Sequence, residues 1–277
     1  MVIIKKLKMV FMFLTILALL SACASNAETE QSTNDSKPIS ISGSTSVGPL
    51  AEKLAAKYHE HDNTKIEINQ IGSSAGITNA ISGVSEIGMS SRDLKEDEMQ
   101  KLKEVVIAYD GIVVVTHPSN KVKDLTLEQV KQIFTGEVTN WSQLGGDDME
   151  IVVVSREDGS GSRDAFQEIV GYSSGELIRN SIIASGNGNI KTTVANNKHA
   201  VGFISFEYID DTISTIDIDG VEATAENVLA KKYSLSRPFL FVYKEGDLTA
   251  NGQKFIDYIL SDEGQKIAAE AGVIPIK

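Results

Sequence analysis

An α/β fold in two lobes is predicted by three observations. From Pro38 to the C-terminus short β-branched runs alternate with helical hydrophobic patterns, the signature of α/β proteins built on parallel sheets. The alternation comes as two successive series, the second starting near the turn-forming cluster His117-Pro118-Ser119-Asn120. With 277 residues, 42% of them hydrophobic, the chain can fill two cores. No segment of about 20 to 50 residues repeats, which argues against a solenoid. Periodicity leaves open whether the last strand and helix belong to the second lobe or return to the first.

The N-terminus reads as an export signal. Lys5, Lys6 and Lys8 form a basic start, Met9 to Leu20 is apolar except for Thr15, and small residues follow in Leu20-Ser21-Ala22-Cys23. The apolar run falls short of the roughly 18 to 20 residues of a spanning helix. The tetrapeptide resembles the lipobox of bacterial lipoproteins, which implies cleavage before Cys23 and a diacylglyceryl group on its sulfur. Two acyl chains give the strength that stable anchoring requires. Residues 1–22 would then be the lipoprotein signal peptide; they carry three Lys and no acid, so their loss takes the formal charge from −12 to −15. Residues 23–37 lack any aliphatic residue larger than Ala and read as a disordered tether.

The folded part then proceeds in order. Ile39-Ser40-Ile41 is a strand leading to a helix on which Val47, Leu50, Leu54 and Tyr58 recur at spacings of three and four. Lys65 to Ile71 alternates as a strand and feeds a helix bearing Ile77, Ala80, Ile81 and Val84. Glu86 to Met89 is a short strand, Lys95 to Glu104 a charged helix. Val105 to Ala108 and Gly111 to Thr116 are strands separated by Tyr109-Asp110. In the second series Leu127, Val130 and Phe134 mark a helix ended by Gly136, Ile151 to Ser155 a buried strand, Ala165 to Val170 part of a helix, and Val201 to Phe206 a further strand. After Arg237-Pro238 come the strand Phe239 to Tyr243 and one last helix, Gln253 to Ala271.

Four turns use one device, a strand running into a Gly/Ser/Thr cluster that opens a helix. They are Ser42-Gly43-Ser44-Thr45-Ser46, Gly72-Ser73-Ser74-Ala75-Gly76, Gly88-Met89-Ser90-Ser91-Arg92, and Arg156-Glu157-Asp158-Gly159-Ser160-Gly161-Ser162. Unpaired N–H groups and the helix dipole make such a start an anion cradle, and hydroxyls add rotatable donors. Any one of these turns is also ordinary helix capping. Four of them at strand ends, where α/β proteins gather ligands, favour oxyanion binding. Arg156 adds a planar fork for two oxygens of a tetrahedral anion. Asp158 either orients that guanidinium or caps the helix.

Other chemistries are weaker. A strongly acidic chain offers no phosphate-backbone surface, so nucleic acid is set aside. A single Cys allows neither an intramolecular disulfide nor a Cys-rich metal cluster. Gly72-Ser73-Ser74-Ala75-Gly76 matches a nucleophile elbow centred on Ser74, but a hydrolase also needs a downstream His, and His117 and His199 have no supporting context. His59-x-His61 reads as a solvated helix end, and Trp141 as a core residue. No Walker sequence, metal site or cofactor site is expected.

Taken together, ISGSTSVGPLAEKLAAKY, INQIGSSAGITNAISGVSEIGMSSRDL, LTLEQVKQIFTGEVTNWSQLGG and VVSREDGSGSRDAF resemble the PstS family of phosphate-binding lipoproteins, the extracytoplasmic receptors of phosphate ABC importers. The resemblance covers nearly all of residues 38–277. It implies a type II periplasmic-binding-protein fold: two α/β domains with mixed sheets, joined by two hinge strands and closing over one ligand. The C-terminal segment would then return to the first lobe, giving lobe I from 38–114 plus 237–277 and lobe II from 115–236. Carried over motif by motif, the phosphate ligands would be Thr45, Ser46, Ser73 and Ser91 on one side and Arg156, Ser160, Gly161 and Ser162 on the other. Ser44, Arg92, Asp110 and Asp158 are auxiliary candidates.

The chain departs from the family at one place. Better-known members carry a buried Asp in the third turn, where this sequence has Ser91; that Asp accepts the proton of hydrogen phosphate and repels fully ionised sulfate. Ser91 itself, Asp110 or Asp158 are the alternatives for this role. The resemblance implies a non-enzymatic, monomeric receptor, anchored through Cys23 on the outer face of the bacterial cytoplasmic membrane, whose partners are inorganic phosphate and the permease subunits of an ABC importer. The rival readings are a same-fold receptor for sulfate or molybdate and a surface adhesin that keeps the fold.

Overall fold

The computed structural model describes residues 37–277. The signal peptide, Cys23 and all of the tether but Lys37 lie outside the described residues. From Ile39 the chain builds strand β1 (Ile39–Gly43), helix α1 (Gly48–Tyr58), β2 (Ile66–Gln70), α2 (Ser73–Ser82), β3 (Ile87–Ser90), the single turn α3 (Glu96–Met99) and β4 (Lys103–Thr116). A second run follows: β5 (Asp124–Leu125), α4 (Leu127–Thr135), β6 (Val152–Arg156), α5 (Gly161–Val170), β7 (Ile182–Ala184), α6 (Gly186–Ala195), β8 (Ala200–Ser205), β9 (Ser214–Ile218) and α7 (Ala225–Leu229). β10 (Ser236–Tyr243), α8 (Ala250–Ile259) and α9 (Asp262–Glu270) complete the chain.

The strands join in the order β2-β1-β3-β10-β4-β8-β6-β7. β1, β2 and β3 are parallel, and β10 runs antiparallel to both β3 and β4. On the far side β8 is antiparallel to β4, while β6 runs parallel to β8 and β7. The result is a mixed sheet. β4 serves both ends: Lys103 to Gly111 pair with β10, and Ile112 to Thr116 pair with β8. The apolar side chains gather accordingly. One cluster holds Ile39, Leu50, Leu54, Ile107, Phe239, Phe241 and Phe255, drawn from both ends of the described chain. Another is built around Phe134, Trp141, Phe166 and Phe203, with Phe166 and Phe203 stacked at 4.1 Å between ring centroids.

Several elements differ from the sequence reading, each for a visible reason. The charged helix expected over residues 95–104 is one turn, because Lys103 and Glu104 are drawn into β4 by pairing with Tyr243 and Val242. β4 is unbroken through Tyr109-Asp110, since the buried Asp110 carboxylate meets Arg237 on the adjacent strand. Val84 is 70% exposed rather than inward: α2 ends at Ser82, and Gly83 caps it in the left-handed conformation. The last helix is two helices, interrupted at Leu260-Ser261, where the Ser261 hydroxyl accepts from the Gly264 N–H and starts α9.

Candidate functional site

The site is assembled where the carboxyl ends of β1, β3 and β6 meet the starts of α1, α2 and α5. At the end of β1, Gly43 adopts φ of +143°, and a Cβ there would lie 2.2 Å from the Met89 carbonyl oxygen, so no other residue fits. The chain then turns through Ser44, Thr45 and Ser46 before α1 begins. The Ser44 hydroxyl accepts from the N–H groups of Ser46 (3.1 Å) and Val47 (3.2 Å) and donates to Ser91 Oγ at 2.9 Å. Its lone pairs therefore hold the turn that leads into α1 while its proton fixes Ser91. Ser73, first residue of α2, accepts from the Ser91 N–H at 3.2 Å, and the two hydroxyls lie 3.3 Å apart. Ser44, Ser46, Ser73 and Ser91 are all at least 98% buried.

From β6 and α5 come Arg156, Ser160, Gly161 and Ser162, also buried. Ser160 is the N-cap of α5, its hydroxyl accepting from the Arg163 N–H at 3.3 Å. The groups meet directly across the site. Ser46 and Ser162 hydroxyls are 2.8 Å apart, and Arg156 Nη2 donates to Thr45 Oγ1 at 2.9 Å. The Ser74 N–H donates to the Gly159 carbonyl at 3.2 Å. Gly161 packs so closely that a Cβ would sit 2.2 Å from Ser73 Oγ and 2.8 Å from Ser91 Oγ. All eight principal residues expected from the sequence are thus brought together.

The auxiliary candidates divide. Ser44 belongs to the cluster as described. Arg92 does not face it: its guanidinium forms a fork with Glu98 at 2.8 and 2.9 Å and reaches Asp164 at 3.1 Å. Asp158 neither orients Arg156 nor caps α5; it pairs with Arg163 Nη1 at 2.6 Å, leaving the cap to Ser160. Asp110 is committed elsewhere, accepting from Arg237 Nη2 at 2.8 Å, the Ser205 hydroxyl at 2.8 Å and the Phe206 N–H at 3.2 Å. Ser91 alone of the proton-accepting alternatives lies in the cluster. The third of the four turns also opens no helix at once, for Ser90 and Ser91 lead through Arg92 and Asp93 to the short α3.

Charge around the cluster is balanced at close range. Arg156, 1% exposed, is held by Glu157, whose two oxygens each accept at 2.8 Å. Burial raises the Glu157 pKa, but the Arg156 fork and the Gly186 N–H more than offset it and hold the carboxyl below its usual range. Arg237 pairs with Asp110 at 2.8 Å, where burial outweighs the guanidinium and pushes the Asp110 carboxyl up, and also donates to the Ser91 carbonyl at 3.2 Å. What the assembly can do chemically is bind an anion by hydroxyls, N–H groups and one guanidinium. No hydrogen bond joins Ser74 to a histidine: His117 bonds Ser119, and His199 bonds the Glu150 carbonyl. Among the described residues no three His, Cys, Asp or Glu side chains group as a metal site.

Known proteins are similar to this chain in sequence and in fold. A profile described as the PBP superfamily domain matches residues 26–263. The phosphate-binding protein PstS of Bacillus subtilis is 32% identical over 98% of this chain and 95% of its own length. The chain belongs to the PstS family, within the PBP superfamily. A crystal structure with bound phosphate, of a candidate phosphate ABC transporter substrate-binding protein from Clostridium perfringens, superposes with a TM-score of 0.85 at 61% identity, covering 87% of this chain and 100% of that one. An ABC-type phosphate transport receptor from Vibrio cholerae matches with a TM-score of 0.75 at 36% identity over 85% of this chain and 99% of its own.

In this PstS-family chain the sequence reading overlooked several residues of the cluster. Glu157 was passed over in favour of Asp158, although the two carboxylates are adjacent in sequence and only the fold chooses between them. Asn187 donates to Ser46 Oγ at 2.9 Å and accepts from Arg156 Nη1 at 3.3 Å. Its signal was present: Ala184-Ser185-Gly186-Asn187 is the strand-to-helix device a fifth time, hidden because β7 has only three residues. Arg237 and Tyr208, whose hydroxyl donates to the Thr45 carbonyl at 3.4 Å, have no local signature at all.

Proposed function

We propose that this chain is an extracytoplasmic solute-binding receptor that captures inorganic phosphate between two lobes and delivers it to an ABC permease. The observation that carries the reading is the buried cluster in which hydroxyls and N–H groups from β1–α1 and β3 face Arg156 and the start of α5. Each hydroxyl there has a rotatable proton, and Arg156 presents planar N–H groups, so a tetrahedral anion seated between them takes donors from both sides. Contacts on both sides stabilise the closed form relative to an open one, which makes closure the consequence of capture. The lobes are residues 38–114 plus 237–277 and residues 115–236. The apolar cluster that draws Phe239, Phe241 and Phe255 back to Ile39 and Leu50 supports the return of the C-terminal segment to the first lobe. The receptor binds rather than transforms its ligand, and acts as a monomer.

Calorimetric titration with phosphate, arsenate, sulfate and molybdate tests the reading. Heat with phosphate across pH 6 to 8 is expected; its absence sinks the proposal, and tighter binding of sulfate or molybdate transfers it to another oxyanion. Ser91, a hydroxyl able to donate as well as accept, makes that comparison necessary. The receptor is held at the membrane by a lipid on Cys23. Cys23→Ala is expected to release the protein into the medium, and unchanged retention on membranes contradicts the anchor.

A further inference from the structure

We infer that Asn187 is a positioning residue of the anion site, fixing the direction of the Ser46 hydroxyl and the pose of Arg156 at once. The inference rests on the phosphate-capture reading above and concerns a residue outside the sequence motifs of the site.

Asn187 lies in the first turn of α6 and is 1% exposed. Its amide oxygen accepts from Arg156 Nη1 at 3.3 Å and from the Ser205 N–H at 3.4 Å. Both are donors that cannot act as acceptors, so they dictate which end of the amide is oxygen. The NH2 end is thereby turned to Ser46, donating to its Oγ at 2.9 Å. A hydroxyl that accepts this bond has its one proton left to give elsewhere. Ser46 Oγ is 2.8 Å from Ser162 Oγ, a pair in which either hydroxyl can donate. With one Ser46 lone pair occupied by Asn187, the balance is tilted toward Ser46 donating into the space between the two facing turns. For an anion this is the favourable polarity; the reverse would present a lone pair to a negative charge.

The second bond acts on Arg156. Glu157 holds the Nε and Nη2 side of the guanidinium, and Nη2 also serves Thr45. Nη1 has only Asn187 among these partners. The amide oxygen therefore fixes the plane of the fork from the side opposite the carboxylate, and does so without adding a second negative charge beside the anion. A carboxylate at this position would satisfy Arg156 and the Ser205 N–H equally well. It would however accept from Ser46 rather than donate to it, reversing that hydroxyl. Asn is the residue type that meets all three partners with the right polarity.

Titration of phosphate into the wild type, Asn187→Ala, Asn187→Asp, Ser46→Ala and the Ser46→Ala/Asn187→Ala pair tests this. Wild-type binding is the control for the functional reading; if it fails, that reading fails first. With wild-type binding in hand, Asn187→Ala is expected to weaken phosphate about 10-fold and the near-isosteric Asn187→Asp more than about 100-fold. In the Ser46→Ala background Asn187→Ala is expected to cost only about 3-fold, the share carried through Arg156, because the hydroxyl it orients is gone. A packing role predicts the opposite order, with Asp tolerated and Ala harmful. Simple repulsion by a new carboxylate predicts a harmless Asn187→Ala and no dependence on Ser46. Either pattern overturns the inference. If Asn187→Ala fails to fold, as judged by its ligand-free Tm, Asn187→Asp decides it: binding within about 3-fold of wild type refutes the role.

Discussion

Thr45 shows how one side chain can serve two halves of a site. Its Oγ1 accepts from Arg156 Nη2, so its own proton is available to an anion beside the guanidinium, while its carbonyl accepts from Tyr208. Thr45→Val keeps the shape and removes both the acceptor and the donor. A bond to a charged group is worth about 1.5–3 kcal/mol, so phosphate affinity is expected to fall at least about 10-fold, with Thr45→Ser close to wild type. A loss in Thr45→Ser with Thr45→Val close to wild type, measured by calorimetry, would show that the methyl group rather than the hydroxyl matters. At this scale the sequence was informative wherever a residue sits in a strand-to-helix turn, as Thr45, Ser73 and Ser160 do. It was silent on Arg237 and Tyr208, because their roles come from partners more than 140 residues away, Ser91 for the one and Thr45 for the other. It misassigned Asp158 because adjacent acids look alike until a fold places one beside Arg156 and the other beside Arg163.

Between elements, the decisive contact is the approach of α5 to α2. Gly161 begins α5 with so little clearance that any side chain there meets Ser73 and Ser91. These atoms belong to buried, hydrogen-bonded groups and have no free end to swing aside. Gly161→Ala is therefore expected to hold the two turns apart, lowering phosphate affinity at least about 100-fold while the circular dichroism of the ligand-free protein stays that of the wild type. Small-angle scattering gives the geometric check: phosphate should contract the wild type and leave the variant unchanged, and equal contraction would refute the wedge. The glycine was visible in the sequence, but its necessity was not, since the clash is with residues some 70 to 90 positions earlier. The same limit explains the element errors. Lys103 and Glu104 look helical beside Lys95 to Lys101 and become strand through pairing with β10, and Asp110 looks like a break until Arg237 neutralises it.

Across the molecule the formal charge of −12 opposes the approach of an anion. At physiological salt the Debye length is about 8 Å, so exterior charge is largely screened from a buried cluster. Within reach of that cluster the acids are matched locally: Glu157 with Arg156, Asp110 with Arg237, Asp158 with Arg163, and Glu98 and Asp164 with Arg92. Glu207 is the exception. It follows β8, and both its carboxylate oxygens are buried without a hydrogen-bond partner. Burial, and then the neighbouring Asp110 carboxylate, push its pKa up to about 8, against the pull of Lys53 and Arg237. The sign follows from linkage. Between about 4.5 and 8 the unfolded chain ionises at this residue while the folded chain keeps its proton, so rising pH favours the unfolded state; below the window both states are protonated and the effect vanishes. The slope is at most about 1.4 kcal/mol per pH unit. Glu207→Gln, which resembles the neutral acid, should remove the decline. Denaturant unfolding is expected to show the variant gaining on the wild type as pH rises from 5 to 8, and a stability difference that does not change with pH would mean that Glu207 is already ionised in the folded protein.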